Sequence, residues 1–219
     1  MKHVCLFLFV SAALQADSTV ERLQSAAASF QEIMQVPERS IPQDLLQKAE
    51  CAIIIPGMKK GAFIVGAKYG RGFLSCRKGE VGWSAPAGVR VEGGSLGFQI
   101  GGTETDVVML VLNSRGADKL MKSKFTLGAD AAVAAGPVGR TSSAETDAMM
   151  HAEILSWSRS RGVFAGISLK GATLRPDTDA NRELYGSELT NKDIVRGDVK
   201  VPEGGGTLVD MLNKFSSRK

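Results

Sequence analysis

Histidine, aromatic side chains and long apolar runs are all scarce in this 219-residue sequence, and each scarcity removes a class of function. There are two histidines and three cysteines. His3 and Cys5 fall in the leading segment, and what is left cannot supply a structural zinc site of four nitrogen and sulfur ligands. The expectation is a protein without metal or cofactor. Aromatics are 6% of the chain, so Trp83 and Trp157 read as core or interfacial rings rather than stacking platforms. Neither sign of charge dominates. The 27 basic and 23 acidic residues leave a mild basicity that does not by itself point to nucleic acid. Beyond the leading segment no apolar run is long enough to cross a bilayer.

The leading segment has the pattern of an export signal. Lys2 and His3 are a polar start, Val4 to Leu14 are apolar, and Gln15-Ala16 offers a small-residue cleavage point before Asp17. Cleavage after Ala13 and an uncleaved anchor are the alternatives. Residues 1–16 are read as a signal peptide, and the protein is expected to be exported, periplasmic or extracellular. That compartment is oxidising, so a Cys51–Cys76 disulfide is chemically allowed. Two buried small hydrophobes are the other reading of the pair.

Glycine is abundant, with 25 residues and no collagen period, which points to turns, bulges and bent strands. Val20, Leu23, Ala27, Phe30 and Met34 recur at helical spacing, with Ser18 and Glu21 as a capping box and Pro37 as a stop. A short helix follows Pro42. The period then changes to two. Strands are predicted at 52–55, 62–69, 73–77 and 81–91, with Gly70-Arg71-Gly72 as a turn. A further strand is predicted from Ser95 to Gly101, and a buried one from Asp106 to Leu112. Strands at 152–158 and 163–169 flank the turn Arg159-Ser160-Arg161-Gly162. Helices are predicted at 114–122, 177–185, 190–196 and from Thr207 onward. The architecture expected is α+β: a Gly-rich, strongly twisted antiparallel sheet, a partial barrel, packed by N- and C-terminal helices.

Several segments in order resemble the SYLF domain family. They are Ile41-Pro42 with Leu45-Leu46, Ala52-Ile53-Ile54-Ile55-Pro56, Lys59-Lys60-Gly61, Gly82-Trp83-Ser84-Ala85-Pro86 and Gly93-Gly94-Ser95 with Gly97, Gln99 and Gly101. Thr105-Asp106, Ala134 to Arg140 and Ser158 to Gly166 complete the set. The resemblance covers roughly residues 20 to 186. It implies a SYLF domain over residues 17–186, with 187–219 left as a C-terminal helical extension; the leading segment departs from the family pattern and makes this an exported, bacterial-type member. Eukaryotic SYLF proteins bind phosphoinositides, some bind and bundle actin, and they carry SH3 or FYVE modules that this sequence lacks.

The function so implied is non-enzymatic binding of anionic lipid head groups at a membrane surface. The cations proposed for it are Lys59, Lys60, Lys68, Arg71, Arg77 and Lys78, with Arg140, Arg159 and Arg161 in the basic segments further on. Lysine meets phosphate as a mobile charge and arginine as a planar fork. An envelope scaffold binding a protein or polysaccharide partner is the alternative. Gly93-Gly94-Ser95-Leu96-Gly97 also matches the serine-hydrolase elbow, with Asp106 or Asp130 and His151 completing a triad order. Ser95 opens a strand instead of a strand-to-helix turn, which argues against it. Gly136-Pro137-Val138-Gly139 could present backbone amides to an anion, but a structural bend is favoured.

Overall fold

Local chemistry sets the ends of most helices. Helix α1 (Thr19–Met34) starts where the Ser18 hydroxyl accepts from the Glu21 N–H and Glu21 accepts from the Ser18 N–H. Its apolar stripe, Leu23, Ala27 and Phe30, is fully inside. The other helices are α2 (Gln43–Lys48), α3 (Ser114–Leu120), α4 (Thr178–Tyr185), α5 (Asn191–Arg196) and α6 (Gly206–Phe215). Asp177 caps α4, and Gly186 ends it at φ 66, in the left-handed region. Thr190 and Asp193 form a second capping box on α5.

The computed structural model describes residues 18–35, 40–62, 65–79, 82–96, 101–139, 151–160 and 162–217. The leading segment, Arg140 and Arg161 lie outside the described residues.

The strands are β1 (Cys51–Ala62), β2 (Val65–Cys76), β3 (Ala87–Leu96), β4 (Gly101–Val111), β5 (Phe125–Thr126), β6 (Val133–Ala135), β7 (Ile154–Ser160), β8 (Val163–Gly166) and β9 (Thr173–Pro176). They form one curled sheet in the order β5-β9-β3-β2-β1-β4-β7-β6, with β8 also on β7. The α+β half-barrel with helices from both ends is the architecture expected. One pairing, β6 on β7, is parallel.

One predicted break is corrected. Gly70-Arg71-Gly72 is no turn, because β2 runs straight through it. A Cβ on Gly72 would lie 2.1 Å from the Ile54 carbonyl oxygen, and one on Gly70 2.6 Å from Ile55 Cγ2. These glycines make room for a bulge in β1, where Pro56-Gly57 shifts the register and Gly57 takes φ 56. Of the strand expected from Ser95 to Gly101, residues 97–100 lie outside the described residues; Ser95 and Leu96 belong to β3, and β4 begins at Gly101 and continues into the buried run.

The sheet is buried on both faces. Cys51, Ile53 and Ile55 point into a core closed by Ala117 and Leu120 of α3 and by Ile194 and Val195 of α5. Ala52, Ile54, Phe73, Val108 and Trp157 point into a second core covered by α1, α2 and α6. Both cores therefore draw on residues beyond 186. Cys51 and Cys76 stand opposite each other in the β1–β2 register, Cα atoms 4.0 Å apart, and are joined by a disulfide.

Candidate ligand-binding surfaces

Strand alternation distributes the predicted cations. Lys60 and Lys68 are direct cross-strand partners on β1 and β2, so their side chains share one face. Lys59 lies on the opposite face, across from Tyr69 on one side and Glu104 on the other. Burial, and then the charge of Lys60, lower the Lys68 pKa. Among the described residues none of these three lysines makes an ion pair or hydrogen bond. Two like charges set opposite each other weaken a hairpin.

The other proposed cations are already engaged. The Arg71 Nε and Nη2 groups donate to the buried Asp177 carboxylate at 2.5 and 2.8 Å. That hydrogen bond raises the Arg71 pKa. Burial opposes ionisation of Asp177, but the Arg71 bonds and charge outweigh it, and the Asp177 pKa is lowered. Arg159 donates to Asp106 at 2.6 and 3.1 Å and also pairs with Glu32. Asp106 in turn accepts from the Gly57 N–H at the bulge. Lys78 pairs with Asp198 at 2.9 Å. Arg77 is 7% exposed, donates to the carbonyls of Leu46, Ala49 and Ser216, and covers the Trp83 ring at 4.5 Å. It is an interior crosslink and has no route to a head group. The set expected to converge is thus divided between the Lys60–Lys68 end of the sheet, the flank of α1, and the far end at Arg77 and Lys78.

The α1 flank encloses a cleft of about 780 Å³ lined by Arg22, Ser25, Lys59, Tyr69, Arg71, Glu104, Asp106 and Arg159. Sequence reasoning missed Arg22, Tyr69, Glu104 and Asp177 as members of one site. Arg71 and Asp177 are 106 residues apart, and no local pattern joins them.

The hydrolase arrangement does not form. Ser95 pairs with Gly66 at the end of the sheet where Ala62 meets Gly101. His151 precedes Ile154, which pairs with Val111 at the other end of β4. The length of β4 separates them by roughly 30 Å. Asp106 is held by Arg159, and Asp130 accepts from the Thr126 N–H within its own loop. Gly136-Pro137-Val138-Gly139 is a packing bend. A Cβ on Gly136 would lie 2.0 Å from Trp157 Cε2, the Trp157 indole donates to the Pro137 carbonyl, and the Gly139 N–H donates to Ser40. Among the described residues no cluster of acidic, histidine or cysteine side chains could hold a metal, and no helix is long and apolar enough to cross a membrane.

Residues 92–215 match the family model described as "Ysc84: Las17-binding protein actin regulator". The chain is 33% identical over 183 residues to rat (Rattus norvegicus) SH3 domain-containing YSC84-like protein 1, covering 83% of this chain and 54% of that one. It is 34% identical over 179 residues to Protein YSC84 of Saccharomyces cerevisiae, covering 80% and 38%. It is 33% identical over 201 residues to LAS seventeen-binding protein 3 of the same species, covering 89% and 43%. The chain therefore spans about half or less of the length of these relatives.

Proposed function

The chain belongs to the Ysc84/SYLF family, and from that premise we propose that it binds acidic phospholipid head groups at a membrane surface, reversibly and without covalent chemistry. The observation that carries this reading is the Lys60–Lys68 pair, two facing ammonium groups without a carboxylate partner among the described residues, with Lys59 next in sequence. Each lysine near an anionic bilayer contributes about 1 kcal/mol. The two that share a face give about 2 kcal/mol, a weak, salt-sensitive and exchangeable attachment. Arg71, Arg77, Lys78 and Arg159 are engaged internally and contribute little to it.

The test is flotation with vesicles of phosphatidylcholine alone and with added phosphatidylserine, at low and high salt. Binding is expected to rise with the acidic lipid and fall with salt. The double variant Lys60→Ala, Lys68→Ala is expected to abolish it with the fold retained by circular dichroism. Equal binding by that variant removes the assignment.

A protein partner is the second reading, supported by the family description, which names a Las17-binding actin regulator. Salt-insensitive capture of a protein, with no vesicle binding, would select it. Export to an oxidising compartment is part of the proposal, and the buried disulfide supports it.

A further inference from the structure

The cleft beside α1 has a chemistry different from that of the lysine pair. Four cations line it, Arg22, Lys59, Arg71 and Arg159, together with the carboxylates Glu104 and Asp106. Two more carboxylates, Asp177 and Glu32, are bonded to Arg71 and Arg159. Glu183 acts on Arg22 as well, so neither sign of charge dominates the cleft. A phosphate entering here meets Glu104 and Asp106, and a bare cation meets three guanidinium groups. A neutral ligand meets neither penalty.

The polar groups are arranged as adjacent donors and acceptors. A ligand hydroxyl both donates and accepts, whereas guanidinium only donates and carboxylate only accepts. The partly exposed Arg159–Asp106 pair puts both functions side by side, and Arg71, held from behind by the buried Asp177, adds a donor. Ser25 and Thr105 add hydroxyls to the wall. Tyr69 is 48% exposed in this wall. An exposed aromatic face of that kind packs on the C–H side of a sugar ring. A second cavity of about 610 Å³ shares Arg159 and Gly162 and continues along α1 past Gln31 and Glu32. The trough is longer than one ring needs.

We propose that this trough binds a neutral oligosaccharide, with Tyr69 as the stacking face and the Arg159–Asp106 pair and the Arg71 guanidinium as hydroxyl-binding groups. The site is separate from the lysine pair and does not depend on the lipid reading. The experiment is titration of the purified protein with cellotetraose, maltotetraose and chitotetraose, with inorganic phosphate as comparator, followed by calorimetry and amide chemical shifts. At least one tetrasaccharide is expected to saturate and to move the Gly57, Tyr69, Gly70 and Gly162 amides. Tyr69→Ala, at a surface ring, is expected to keep the native melting curve and weaken binding about tenfold. Lys60→Ala with Lys68→Ala is expected to leave it unchanged, so that failure here and failure of vesicle binding are read on different residues. The proposal is overturned if none of the three sugars binds, if Tyr69→Ala binds equally, or if phosphate saturates the same amides and displaces the sugar.

Discussion

Asp177 is an interior carboxylate, with its side chain 2% exposed, and it is held by one guanidinium and the Ala180 N–H. Its pKa is lowered because the Arg71 bonds outweigh the burial that would raise it. The folded value thus lies below the unfolded one. Its contribution to stability is complete above the unfolded pKa, about 4, and is lost as pH falls through the lower folded value. Urea titrations from neutral pH downward should show stability falling through that acid window, and Asp177→Asn should flatten this part of the profile. At neutral pH the same variant should cost about 3 kcal/mol, since Arg71 keeps its charge without a partner. A variant as acid-sensitive as the parent would refute the assignment. Side-chain fates of this kind were poorly legible in the sequence. Arg77 is sealed against Leu46, Ala49 and Ser216, whereas Lys60 makes no ion pair among the described residues. The partners of Arg77 lie 28, 31 and 139 residues away, and spacing carries no information about them.

At the scale of elements the sequence was informative wherever a local rule acts alone. The capping boxes at Ser18 and Thr190 and the left-handed stop at Gly186 are satisfied within a few residues. Glycines in strands were ambiguous because two physical causes give the same letter. Gly70 and Gly72 read as a turn, whereas their missing side chains admit the β1 bulge across the sheet. Gly136 and Gly166 belong to the most specific family segments, and they pack on each other and on Trp157. Gly72→Ala tests this account. The new methyl would meet the Ile54 carbonyl at 2.1 Å and the Ile55 Cα at 2.8 Å, both backbone atoms that cannot swing aside. A loss of about 3 kcal/mol is expected in chemical denaturation, toward the upper range for overpacking. A true turn glycine with negative φ would tolerate alanine with little change. A loss below about 0.5 kcal/mol would therefore restore the turn reading.

At the scale of the molecule, a sheet buried on both faces needs covers on both, and the covers come from the two ends of the chain. The residues after 186 supply α5 to one core and α6 to the other. Phe215 meets the edge of Phe30, centroids 6.1 Å apart, and the Ser216 carbonyl and hydroxyl accept from Arg77 and Trp83. Asn191 donates to the Gly88 carbonyl inside the fold. The family match continues to residue 215, well past the resemblance legible in the sequence. Removing residues 187–219 uncovers Ile194, Val195, Leu208, Val209 and Leu212 contacts on both faces. At about 2 kcal/mol per buried aliphatic side chain the loss is roughly 10 kcal/mol, comparable with the whole stability of a domain, about 5–15 kcal/mol. A chain ending at Gly186 is therefore expected to lose its cooperative thermal transition and its dispersed amide spectrum. Cooperative melting of that fragment would mean that α5 and α6 are docked appendages and that the sheet holds its curvature through α1, α2 and the disulfide alone.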